Sequence, residues 1–226
     1  MNKFNITALA AAFSLAISAG AFGGAVTKSE YKASNDEITA KYKSDKAACT
    51  AMKDNAKDIC IEEAKGREKV ANAELEANYK PTDKSRNNVR IAKADAAYAV
   101  AKEKCDDAAG NAKDVCLKEA KAARVAAKAD AKVAIKTAEV NATAQEKKVD
   151  ANATAQGKKA DANATAQGKK ADANATAREK TADVKKDAAA DKRNADYAVA
   201  KEKCDALAGD AKANCIKDAK VRYGQS

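Results

Sequence analysis

The chain has 226 residues, a formal net charge of +10, 46% hydrophobic residues and only 4% aromatic residues. Histidine and tryptophan are absent, and the hydrophobic fraction is mostly alanine, which buries little area per residue at about 25 cal/mol per Å². This composition excludes an ordinary globular core and leaves no histidine for acid–base catalysis.

The first 25 residues predict a secretory signal peptide. Lys3 precedes an apolar run from Ile6 to Phe22, and small residues place the cleavage site after Ala21 or after Ala25. The alternative is an uncleaved membrane anchor, but about 17 apolar residues fall short of the ~20 that a bilayer span needs. We therefore expect a periplasmic or secreted protein with no membrane span after cleavage.

The rest of the chain predicts helices. Alanine, lysine, glutamate and glutamine dominate it and are strong helix formers, whereas no run of alternating β-branched residues predicts a strand. The single proline, Pro81, is expected to end one helix and open the next. Basic and acidic residues alternate, which favours solvated helix faces with weak polyanion attraction and no specific nucleic-acid site.

Three cysteine pairs recur with the same spacing of eleven positions: Cys49 and Cys60, Cys105 and Cys116, and Cys204 and Cys215. In an exported chain, this regularity favours disulfides. Positions eleven apart in one helix are about 16 Å apart, whereas a disulfide needs Cα atoms within about 7 Å. Bonding within each pair thus requires the chain to fold back. Free or intermolecular thiols are one alternative; metal or redox chemistry is another, disfavoured by the lack of histidine and of Cys-x-x-Cys spacing.

The residues between the cysteines predict a turn. In the second pair, Gly110 is expected to take the left-handed conformation that ends a helix. Asn111 then caps the next helix, with Asp114 as its capping-box partner. The corresponding turn residues of the other pairs are Gly209 with Asp210 and Asp54 with Asn55.

Three tyrosines occupy one position in the cysteine modules. Tyr42, Tyr98 and Tyr197 each precede the first cysteine by seven residues, which is two helical turns. We expect them to cover the seam between helices; ligand binding is the alternative.

No nucleophile–base pair, phosphate-binding loop or metal-ligand set is recognisable, so we expect no enzyme and no catalytic, cofactor-binding or metal-binding residues.

An eleven-residue repeat begins at residues 140, 151, 162 and 173. This period gives 3.67 residues per helical turn, which places equivalent positions along one face. Gly157 and Gly168 each cost about 1 kcal/mol in a helix interior, so the helix is expected to be weak, with partial disorder as the alternative. Without an internal proline, residues from Asn111 to about Ala208 are expected to form one helix about 145 Å long, with a disulfide-tied hairpin towards each end.

The predicted fold class is therefore all-α: elongated, disulfide-tied helical hairpins joined by a long Ala/Lys-rich helix, without a globular core. The predicted segments are a signal peptide at 1–25, hairpin modules at 26–80, 81–139 and 193–226, and the repeat helix at 140–192.

Two resemblances follow from these motifs. The stretch YAVAKEKCD at Tyr98–Asp106 and Tyr197–Asp205, with GNAKDVC and EAK, resembles exported Ala/Lys-rich bacterial proteins labelled cell envelope biogenesis protein TolA or TolA-like. This resemblance covers most of the mature chain and implies a role in the envelope. The Thr-Ala-Gln motifs starting at Thr143, Thr154 and Thr165 resemble group 3 late-embryogenesis-abundant proteins, which implies protection during drying or other stress.

These observations predict a non-catalytic exported helical protein with a structural or stress-protective role in the bacterial cell envelope. The alternative is a basic helical protein that binds polyanions, such as peptidoglycan, anionic lipid headgroups or nucleic acid. The expected partners are envelope components or further copies of the chain, and no cofactor is expected.

Overall fold

The computed structural model describes residues 26–156 and 160–225, which form helices and turns without a strand. The all-α prediction is confirmed, whereas the predicted signal peptide lies outside the described residues. The helices are α1 (Lys28–Ala48), α2 (Asp54–Tyr79), α3 (Asp83–Lys104), α4 (Gly110–Gln156), α5 (Ala160–Cys204) and α6 (Gly209–Tyr223), with short 3-10 turns at Cys49–Ala51 and Cys105–Asp107. No helix in these two ranges combines the length and hydropathy needed to cross a bilayer.

The ends of the helices follow from local sequence. Pro81 separates α2 from α3, as predicted. Thr82 begins α3 through a capping box in which its hydroxyl accepts from the Ser85 N–H at 3.0 Å. Thr27 and Glu30 form the same motif at the start of α1. These caps satisfy backbone N–H groups that would otherwise lack partners.

The substantial packing contacts join helices that follow one another in the chain. Neighbouring helices are antiparallel: Lys93 of α3 contacts Glu74 of α2 at 2.7 Å, and Arg124 of α4 donates to Asp95 of α3 at 2.6 Å. The seams between helices are lined mainly by buried alanines. The fold is thus a series of antiparallel hairpins with narrow seams.

The predicted single helix from Asn111 to Ala208 is wrong. The chain forms two helices, α4 and α5, which pack against each other. They are antiparallel, because Lys203 near the end of α5 contacts Glu119 near the start of α4 at 2.6 Å. Pairing buries alanines that a lone helix would expose to water, and such burial supplies most helical stability in proteins. Helix α4 continues without a break through residue 140, where the sequence predicts a new segment.

All three cysteine turns lie at the same end of the molecule, because each is separated from the next by one helix up and one helix down. The Asn55 side-chain amide, at the first turn, donates to the Glu103 carbonyl and to Asp107 Oδ1 at the second, both at 2.8 Å. The contact between Lys203 and Glu119 joins the second turn to the third. The expectation of a hairpin towards each end of a stalk is therefore also wrong.

Candidate functional site: the disulfide-tied turns and the repeat seam

The predicted cysteine pairing is confirmed. Cys49–Cys60, Cys105–Cys116 and Cys204–Cys215 are disulfides, with Cα–Cα distances of 5.6, 5.6 and 5.7 Å. No cysteine is free. None of the six sulfurs therefore remains for the alternative roles as a free thiol or a metal ligand.

Each module follows the same backbone path. The first cysteine accepts a backbone hydrogen bond from the residue three positions on, at 3.0–3.1 Å, in a tight turn. The fifth residue after that cysteine then takes a left-handed conformation and begins the next helix. These residues are Asp54 (φ 51°), Gly110 (φ 55°) and Gly209 (φ 54°).

The left-handed conformation of Gly110 and Gly209 is confirmed, but the predicted caps are wrong. Each glycine is the first residue of its helix, and a 3-10 or hydrogen-bonded turn ends the helix before it. Asn111 and Asp210 consequently lie inside the first helical turn and do not occupy the N-cap position. The structure shows no side-chain cap at the start of α6, where Ala208 is the N-cap.

The first cysteine of each pair is buried almost completely. Cys49 and Cys105 are 0% exposed and Cys204 is 1% exposed. Apart from Leu75 and Ser85, the other buried side chains among the described residues are alanines. With so little apolar area available, the disulfides are a large part of hairpin stability, at about 3 kcal/mol for each short loop in the chain-entropy model.

Two of the three modules each have an ion pair across the turn. Lys113 contacts Asp106 at 2.9 Å, and Lys212 contacts Asp205 at 2.8 Å. The hydrogen bond from Lys212 lowers the pKa of Asp205, and the hydrogen bond to Asp106 raises the pKa of Lys113. Because both pairs are exposed to water, they orient the turns more than they stabilise them.

The tyrosines of the cysteine modules are half-buried. Tyr98 lies in the α3–α4 seam as predicted, since the Arg124 guanidinium of α4 lies 4.9 Å from its ring centroid. Lys128 and Arg124 both contact Asp95, at 2.8 and 2.6 Å. Burial raises the pKa of Asp95, but hydrogen bonds from Lys128 and Arg124 outweigh it and lower the pKa below its usual value. This cluster joins α3 to α4 within the second cysteine module and was not predicted.

A second unpredicted contact closes the open end of the first hairpin. The rings of Tyr31 and Tyr79 have centroids 4.7 Å apart, and Tyr31 Oη donates to Glu76 Oε2 at 3.2 Å. This hydrogen bond raises the pKa of Tyr31. The signal in the sequence is that both tyrosines lie far from the Cys49 turn in opposite directions, so an antiparallel fold brings them together.

The eleven-residue repeats form the α4–α5 seam. Ala144 and Ala151 of α4 are 7% and 2% exposed, and Ala166 and Ala173 of α5 are 3% and 5% exposed. Ala144 and Ala173 line one groove together with Thr176 and Ala177. The period of the repeat thus places alanine at the contact positions of both helices. The expectation of a weak helix, with partial disorder as the alternative, stays a prediction.

No group of three or more histidine, cysteine or acidic residues suited to a metal ion occurs in the part of the chain that the structure describes. Comparison of the chain with known protein families, curated proteins and solved structures found no match.

Proposed function

We propose that the protein is a non-catalytic helical protein of an oxidising compartment outside the bacterial cytoplasm, with a structural or stress-protective role in the cell envelope. The observation that carries this proposal is the set of three disulfides, one in each cysteine turn. Such bonds persist in exported proteins and are reduced in most cytosols. The N-terminal sequence, read as a signal peptide, supports the same compartment.

The seams explain why disulfides suit such a role. Alanine seams bury little area, so the hairpins depend on covalent closure of their turns. Closure reduces the conformational freedom of the unfolded chain, and this effect persists when water activity or ionic strength changes. A helical protein closed in this way keeps its hairpins under osmotic or drying stress.

The test is a deletion strain complemented with the wild-type gene or with a gene in which all six cysteines are serine. We expect the deletion to lower survival under envelope, osmotic or drying stress, and only the wild type to restore it. Fractionation should find the mature chain, starting near Phe22 or Val26, in the periplasm or medium. A cytoplasmic chain with reduced cysteines would contradict the compartment, and unchanged survival under all three stresses would contradict the role.

A second candidate function is polyanion binding, supported by the lysines of the repeats. Lys147 of α4 and Lys169 of α5 are exposed and line the same groove, and Lys148 and Lys170 follow them in the sequence. The antiparallel pairing therefore gathers two lysine pairs. Asp150 and Asp172 also line this groove, so the attraction is expected to be weak and sensitive to salt.

Binding to vesicles containing phosphatidylglycerol and to heparin, measured over a range of salt concentrations, tests this candidate. Replacing Lys147, Lys148, Lys169 and Lys170 by glutamine should weaken binding by about 1 kcal/mol per lysine near an anionic surface. The control carries the same charge change at exposed lysines elsewhere: Lys32, Lys43, Lys217 and Lys220. Equal losses in both variants would show that only net charge matters.

A further inference from the structure

The α4–α5 seam is self-complementary. Residues 144 and 173, and residues 151 and 166, form two pairs centred on the same point, between residues 158 and 159, and all four are buried alanines. In each of these pairs, one alanine comes from the Thr-Ala-Gln motif and the other begins an Ala-Asn-Ala-Thr motif. An antiparallel helix with the same sequence would therefore place the same two kinds of alanine at the seam.

The sequence of the link is compatible with a helix. Residues 151–161 and 162–172 are identical, and each contains Gly-Lys-Lys. The first Gly-Lys-Lys is the link at 157–159, and the second, starting at Gly168, lies within helix α5. Because the same local sequence is helical one repeat later, α4 and α5 can join into one continuous helix.

A second copy of the chain would satisfy the same contacts. In an antiparallel pair of continuous helices, α4 of one copy faces α5 of the other in the register seen here. Contacts such as Lys203 with Glu119 and Lys192 with Asp130, which now lie within one chain, would form between two chains. Ala155 and Ala162 hold the same repeat positions as the buried alanines.

We propose that the chain forms an antiparallel domain-swapped dimer in which residues 110–204 are one helix and α4 of each copy packs on α5 of the other. Exchange of an identical element is a low-cost route to a dimer, and a short link between the exchanged elements favours it. The cysteine turns remain within each chain, because their disulfides close locally. This inference does not depend on the proposed function.

Two matched glycine variants of the full mature chain, with its disulfides intact, test the proposal. The monomer–dimer equilibrium is measured by size exclusion with light scattering over a range of protein concentrations. We expect Gly157→Ala to raise the dimerisation constant by about a factor of 5 for each of the two links, because alanine favours the continuous helix. Gly168→Ala is the control, since this residue is helical in both forms. A flexible Gly/Ser insertion after Lys158 should return the chain to monomer.

Isotope mixing identifies the chains in contact. Natural and isotopically labelled chains are unfolded together in urea, refolded, and cross-linked with a carbodiimide, which joins a lysine amine to a nearby carboxylate. In the dimer fraction, a share of the cross-linked pairs between Lys203 and Glu119 should join one natural and one labelled chain, because random refolding forms both mixed dimers and dimers of like chains. A dimer whose pairs always carry one label would overturn the proposal, as would a chain that is monomeric at every concentration with Gly157→Ala behaving like Gly168→Ala.

Discussion

The residue that begins the helix after each cysteine turn adopts the same backbone conformation in all three modules, although the residue type differs. Asp54 adopts φ 51°, close to the values of Gly110 and Gly209 in the other modules. For most residues with a Cβ, the left-handed conformation costs about 1–2 kcal/mol, and aspartate tolerates it better than most. The first module therefore carries strain that the other two avoid.

Replacing Asp54 by glycine should relieve that strain. We expect an increase of about 1 kcal/mol in the free energy of unfolding, measured by urea denaturation of the oxidised protein. The matched change in the other direction, Gly209→Ala, should lower stability by a similar amount, because nothing lies within 4 Å of the added Cβ and only the backbone conformation resists it. A destabilised Asp54→Gly variant would show that the Asp54 side chain has a role beyond tolerating the turn.

The ion pairs of Asp95 are expected to make the stability of the folded protein depend on pH. Its pKa is lowered in the folded state, so its pairs with Lys128 and Arg124 stabilise the protein fully above the unfolded pKa of about 3.9. This stability is lost as the pH falls through the lower folded value. Asp95→Asn should therefore lower Tm at neutral pH and flatten the loss of Tm below about pH 4. The exposed Asp218 provides the control, because Asp218→Asn should leave the acid profile unchanged.

At the scale of elements, the distance between α2 and α3 depends on one glycine. A Cβ built on buried Gly66 would lie 3.0 Å from the Cβ of Ala96 on the facing helix. Gly66→Ala should therefore separate the two helices and lower the free energy of unfolding by roughly 1–3 kcal/mol, despite the better helix propensity of alanine. Gly168→Ala, where the added Cβ meets nothing, should instead stabilise the protein by up to about 1 kcal/mol. Urea denaturation of both variants measures these changes in the free energy of unfolding. Equal changes in the two variants would contradict the role given to Gly66.

Helix α6 is the element most dependent on its disulfide. It has 15 residues, its substantial contacts are with α5, and Ala219 is its only buried residue. An isolated helix of this length is marginal in water. We expect Cys204→Ser combined with Cys215→Ser to release α6, so that limited proteolysis cuts within residues 209–223 while the other helices stay resistant. The comparison is Cys105→Ser combined with Cys116→Ser. This variant should lower the stability of the α3–α4 hairpin.

Local signals predicted what depends on local chemistry. The cysteine spacing predicted the three disulfides, Pro81 predicted the α2–α3 break, and the glycines predicted the left-handed turns. The α4–α5 reversal escaped prediction because the link has the same sequence as a helical part of α5. The contacts between Tyr31 and Tyr79 and around Asp95 depend on the register between helices, which periodicity within one helix does not contain.

At the scale of the whole molecule, the two ends of the α4–α5 hairpin differ. At 1.5 Å per residue, α3 with its 22 residues is about 33 Å long, whereas α4 with 47 residues is about 70 Å long. Near the cysteine turns, α4 packs on both α3 and α5, but its outer half extends beyond α3 and packs on α5 alone. That outer half is also the part furthest from the disulfides, and its seam consists of alanines.

This asymmetry predicts a gradient of stability along the hairpin. In hydrogen exchange of dilute protein, amides of residues 140–183 should exchange faster than those of residues 113–132 and 188–204, because local opening costs least where few contacts and no covalent bridge hold the helices. Uniform protection along α4 would contradict the gradient. Protection of residues 140–183 that rises with protein concentration would indicate pairing between copies. Protection that rises only under dehydrating conditions would instead favour a stress-protective role, because helix formation in these residues would then respond directly to the loss of water.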